Sequence, residues 1–119
     1  MTYSHDIKNQ KPRFDAHALA AATTTAEIDL EGGTLVGILL LADITSTTFT
    51  ITVSNISGGT FVTLKDPLAS GAAITYTVGA TATGYFPINP INTQGFRYCK
   101  IVFGSSETAT IYTSKRNLQ

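Results

Sequence analysis

Catalysis needs a nucleophile, a base or paired carboxylates held close together, and this chain has little to offer toward any of them. It carries one cysteine, two histidines and eight carboxylates in 119 residues. Cys99 lies in the run Phe96-Arg97-Tyr98-Cys99-Lys100-Ile101-Val102-Phe103. Period-two alternation sets it on one face with Arg97, Ile101 and Phe103. A lone thiol far in sequence from either histidine reads as a small core hydrophobe rather than a nucleophile. It also has no second cysteine with which to form an intrachain disulfide. His5 and His17 are twelve residues apart, too far for a local metal motif, and both precede the β-rich body. Glu27, Asp29 and Glu31 alternate along one strand, with side chains ~7 Å apart at strand rise. That spacing is too wide for one calcium ion without help from another segment, so it reads as a solvated face. Gly32-Gly33 and Gly58-Gly59 sit at hairpin positions, and no phosphate-loop or dinucleotide fingerprint occurs. The expectation is a protein that is not an enzyme, with no catalytic residue, no cofactor and no metal.

The elements around these residues are strands. Twenty threonines sit in runs such as Thr48-Phe49-Thr50-Ile51-Thr52-Val53 and Ile74-Thr75-Tyr76-Thr77-Val78. A β-branched polar residue outward and an apolar residue inward is the pattern of a half-buried strand. Further strands are expected over 26–31, 34–41, 47–54, 60–65, 73–78 and 85–88. A terminal hairpin is expected over 96–103 and 107–114, turning at Gly104-Ser105-Ser106. Short strands at this spacing with no convincing helix predict an all-β fold: a single antiparallel β-sandwich or jelly roll of about eight strands. Its expected core is Ile28, Leu30, Leu35, Ile38, Leu40, Phe49, Ile51, Val53, Ile74, Tyr76, Val78, Ile101, Phe103 and Ile111.

Three parts follow: an extended N-terminal arm over 1–17, a sandwich domain over 18–114 and a short basic tail over 115–119. The arm sustains no period, and Pro12 breaks any local helix. It offers a partner Tyr3, Ile7 and Phe14 as apolar anchors, with Lys8, Lys11 and Arg13 to meet acidic patches. Charged residues are 13% of the chain and the formal net charge is zero, which leaves little to hold copies apart and suits a homo-oligomer packed against other subunits. The body is slightly acidic and the ends slightly basic, which favours docking between subunits over direct contact with nucleic acid. No apolar stretch is long enough to span a bilayer, and the polar N-terminus lacks a secretory signal. Tyr85, Phe86 and Tyr98 are the aromatics that could stack on a sugar ring.

The stretch from Asp29 to Leu118 resembles the small virion proteins of tailed bacteriophages. The likeness rests on Leu35-Val36-Gly37-Ile38, on the hairpin from Phe49-Thr50-Ile51-Thr52-Val53-Ser54 to Gly59-Thr60-Phe61, and on the ending Arg97-Tyr98-Cys99-Lys100-Ile101 to Arg116-Asn117-Leu118. It implies a structural virion protein, made in the host cytoplasm, that binds and stabilises a capsid as a decoration (cement) subunit. Its partners would be the major capsid protein or other virion subunits. A head–tail or tail accessory role fits the same resemblance. The Arg-Tyr-x-Lys-Ile strand also occurs in galactose-binding-like sandwiches, which keeps a carbohydrate-binding or adhesion module as the alternative.

Overall fold

A computed structural model describes residues 13–79 and 83–117. Its strands are β1 (Arg13–Thr24), β2 (Ile28–Asp29), β3 (Gly33–Leu40), β4 (Thr48–Ser54), β5 (Val62–Thr63), β6 (Lys65–Asp66), β7 (Ala72–Ala73), β8 (Tyr76–Thr77), β9 (Gly84–Pro87) and β10 (Tyr98–Asn117). Single turns of 3-10 helix at Pro67–Ala69 and Pro90–Asn92 are the helical pieces among the described residues. The fold is all-β, as expected, and every strand pairing is antiparallel.

β10 is the axis of the molecule. Its first half lies between β2 and β4, in a register running from Tyr98↔Ser54 to Phe103↔Phe49. Its second half lies between β1 and β3, with Thr113 opposite both Asp15 and Ile38. β5 and β8 extend the sheet beyond β4, and β9 extends it beyond β3. The sheet curls so that one face turns inward. Cys99, Ile101, Phe103 and Ile111 of β10 are buried there with Leu35, Ile38, Leu40, Phe49, Ile51 and Val53. Phe49 stacks on Tyr76 at 4.9 Å and meets Phe103 at 5.9 Å. Each such side chain removed from water contributes ~1.5–3 kcal/mol before ordering costs. All the expected core residues are buried except Ile74 and Tyr76, and Tyr76 still packs against the cluster. Leu19, Ile44 and Ile88 join it without having been expected.

The structure corrects three expectations. First, β10 is one continuous strand and not a hairpin. Gly104 does not take up the left-handed backbone that a tight turn needs. The exposed segment Gly104–Ser106 remains extended. Opposite it, β1 advances only from Ala22 to Thr24 while β10 moves from Glu107 to Val102, so the surplus length of β10 forms a bulged bend. Ala21, at φ +54°, marks the break in register on β1. Second, the boundary at residue 17 falls inside β1. Residues 13–17 pair with 111–115, and residues 1–12 lie outside the described residues. Third, the basic tail over 115–119 begins inside β10, where Lys115 is buried opposite Arg13 and Leu35.

Candidate functional site

β1 points its apolar side chains the wrong way for a core strand. Phe14, Ala16, Ala18 and Ala20 face solvent, while Asp15, His17 and Leu19 turn inward. Outward neighbours on β10 are Thr108, Thr110, Tyr112, Ser114 and Arg116, in the rows Ala20↔Thr108, Ala18↔Thr110, Ala16↔Tyr112 and Phe14↔Ser114. Across β10 the same face continues through Leu39 to Tyr85 and through Gly37 to Pro87. Leu41, just past β3, is 65% exposed.

One row of this face forms a groove. Phe14 and Tyr85 stand on strands separated by β10 and β3, yet their rings meet edge to face at 6.4 Å. They reach each other because the floor between them is made of small residues, Ser114 and Gly37. The Tyr85 ring lies directly over Gly37, where a Cβ would fall 2.0 Å from the phenolic oxygen. The Tyr85 hydroxyl donates to the Val36 carbonyl at 3.3 Å, which fixes the ring in this position. Phe14, Val36, Tyr85, Ser114 and Arg116 line an open space of about 390 Å³. Arg116 is its only charged lining residue, and no carboxylate among the described residues pairs with it. The groove therefore offers two aromatic surfaces, a small hydroxyl and an exposed guanidinium. Such a set can hold an apolar or planar group and an anion.

The inward charges are fully engaged in holding the fold. Lys115 Nζ donates to the Asp29 carbonyl at 2.7 Å and to Glu31 Oε1 at 2.8 Å, and lies 3.1 Å from Asp15 Oδ2. Three acceptors match three ammonium donors, which makes a buried lysine tolerable. Beside it, His17 Nε2 bonds Thr113 Oγ1 at 2.8 Å. Burial lowers the His17 pKa against the opposing pull of Asp15, so the ring favours its neutral form. Glu107 pins the bend of β10 to the loop before β4. Its carboxylate accepts from the Thr45 and Ser46 amides at 3.0 and 2.7 Å and from both hydroxyls. Burial pushes its pKa up, but those donors outweigh it and hold the carboxyl below the ordinary range. Asp29 forms a two-pronged pair with Arg97 at 2.7 and 3.0 Å, which draws its pKa down to about 2. Burial raises the Cys99 pKa to about 12, so the thiol stays protonated as a core group.

Of the residues expected to meet a partner, Phe14 lines the groove and Arg13 opens β1. Tyr3, Ile7, Lys8 and Lys11 lie outside the described residues. Among the aromatics considered for sugar stacking, Tyr85 is at the groove and Phe86 packs toward the core. Tyr98 sits at the far end of β10, with the Arg97 guanidinium 5.4 Å above its ring. Val36, Ser114 and Arg116 were not anticipated in sequence, because only the pairing of β10 with both β1 and β3 brings them beside Phe14. No group of three or more His, Cys, Asp or Glu able to hold a metal ion occurs among the described residues. No helix there is long and apolar enough to cross a membrane. No protein-family model matches the chain, and no curated protein matches it.

Proposed function

We propose that this chain is a structural virion protein, a decoration subunit that binds and stabilises a phage capsid as one of many copies. One observation carries the reading. β1, whose described residues begin at Arg13, borders a sheet face that is apolar and nearly free of charge. A face holding Phe14, Leu39, Tyr85 and Tyr112 is open to one partner surface, and Tyr3, Ile7, Lys8 and Lys11, which precede it in sequence, are proposed to meet the same partner. Exposed apolar patches of this kind on a sparsely charged protein mark places where another protein packs. The partners would be the major capsid protein or other virion subunits, with self-association adding avidity. The test is mass spectrometry and electron cryomicroscopy of gradient-purified particles of the phage that encodes the chain. The expected result is a stoichiometric component on the capsid exterior. Density at the head–tail junction would assign it there instead, and absence from the particles would end the reading.

A second reading has its own observation. The paired rings of Phe14 and Tyr85 beside Arg116 could stack against a sugar and hydrogen-bond its hydroxyls. Glycan-array binding lost on Tyr85→Ala, with Tyr98→Ala as the comparison at the other end of β10, would replace capsid stabilisation with adhesion.

A further inference from the structure

We infer that the groove between Phe14 and Tyr85 is the seat of an acidic segment of a partner protein, which inserts an apolar side chain between the rings and sets a carboxylate against Arg116. This deepens the proposal above and rests on it for the partner being a protein. The argument is charge complementarity on an otherwise apolar surface. Along the outward rows of β1 and β10 among the described residues, from Phe14 to Ala20 and from Thr108 to Arg116, the single charged side chain is Arg116. Asp15 on β1 and Glu31 before β3 are engaged with Lys115. No carboxylate among the described residues on the face neutralises the guanidinium, so a neutral or basic partner would cover an unpaired cation, at a desolvation cost. An acidic partner converts that cost into a charge-assisted, two-pronged hydrogen bond. The remaining surface matches a side chain rather than a flat interface. The floor at Gly37 and Ser114 is small, the walls are aromatic, and the volume of about 390 Å³ takes one large apolar group. The Tyr85 hydroxyl is already bound to Val36, so the wall is set in place before a ligand arrives.

The test uses the full-length chain, ¹⁵N-labelled, with N-acetylphenylalanine as a probe carrying both a ring and a carboxylate. Amide shifts at Phe14, Val36, Tyr85, Ser114 and Arg116 should saturate with the probe in the millimolar range, up to about 20 mM. N-acetylphenylalanine amide, which lacks the charge, should bind about tenfold more weakly. Arg116→Gln should erase that difference, and Tyr85→Ala should remove binding of both. No shift at these residues, or equal shifts with the acid and the amide, overturns the inference. Shifts with methyl galactoside but not with N-acetylphenylalanine also overturn it, in favour of a sugar site. Because the titration involves no particle, its failure is separate from failure of the virion reading, which the particle experiment decides.

Discussion

Where β10 runs beside β4, the side chains pointing outward are Thr50, Thr52, Lys100 and Val102. Where it runs beside β1 and β3 they are Ala16, Ala18, Leu39 and Tyr112, closed off at one end by Phe14, Tyr85 and Arg116. Both faces belong to one curled sheet and one central strand. The first is finished for water: threonine hydroxyls alternate with a lysine whose ammonium rests 4.4 Å from the centre of the Phe61 ring. The second leaves methyl groups and rings uncovered. A sheet face needs burial on one side only, so folding does not require the outer face to be apolar; under the function proposed above, a partner surface covers it. The inner sides of the two halves also differ. Behind the threonine face lie Ile51, Val53, Cys99 and Ile101, whereas behind the apolar face Asp15, His17, Thr113 and Lys115 are set among Leu19, Leu35, Ile38, Leu40 and Ile111.

The largest expected effect comes from two N-terminal truncations, one ending before β1 and one within it. Deleting residues 1–12 leaves every described pairing of β1 with β10 in place and should leave the thermal midpoint within a few degrees of the full chain. Deleting residues 1–17 removes Asp15 and His17 from the Lys115 cluster and should cost ~3 kcal/mol or more. Calorimetry of the two truncations measures the difference. Equal midpoints would mean that the charged layer behind the apolar face adds nothing to stability.

The next effect depends on pH. Glu107 has a folded pKa below its ordinary value of 4.5, so its contribution is complete above that pH and is lost as pH falls through the lower folded value. Asp29, drawn down to about 2, extends the loss further into acid. Denaturant midpoints between pH 6 and pH 2 should therefore fall with acid, and Glu107→Gln should flatten the upper part of that slope. An unchanged slope in the variant would show that the carboxylate does not brace the β10 bend through its charge.

A smaller effect isolates the groove. Gly37→Ala places a methyl group where the Tyr85 ring lies, so the ring must swing off the floor. The expected cost is ~1 kcal/mol, and Tyr85→Ala combined with it should cost no more than Tyr85→Ala alone. Fully additive costs in this double-mutant cycle would show that the ring does not lie on Gly37.

How far the sequence revealed this arrangement depends on which side of a strand carried the apolar residues. β4 was legible because Phe49, Ile51 and Val53 alternate with threonines, and its observed bounds differ from the expected ones by a single residue. Residues 13–17 of β1 were read as part of an arm because their inward residues are Asp15 and His17 while the outward residues of the strand are Phe14 and alanines. That inverts the usual pattern, and alanine carries little strand preference. Lys115 was misread as tail because a lysine on the central strand is stable only with acceptors brought from Asp15, Asp29 and Glu31, all distant in sequence. The groove was half legible. Phe14 and Tyr85 were each singled out, for different reasons, but their meeting across β10 and β3 depends on a pairing order that no local pattern encodes. Arg116 acquires its meaning only from that order.

The central claim is that the β1–β10–β3–β9 face docks and the β4 face remains in water. Its most direct measurement is co-sedimentation of two arginine variants with purified particles lacking the native protein. Ala18→Arg puts a cation on the apolar face and Thr52→Arg puts one on the threonine face, both at outward positions where folding should be little disturbed, which circular dichroism and melting will verify. The account expects Thr52→Arg to sediment with particles as the unaltered chain does and Ala18→Arg to remain in the supernatant. Retention of Ala18→Arg, or loss of Thr52→Arg instead, would contradict it.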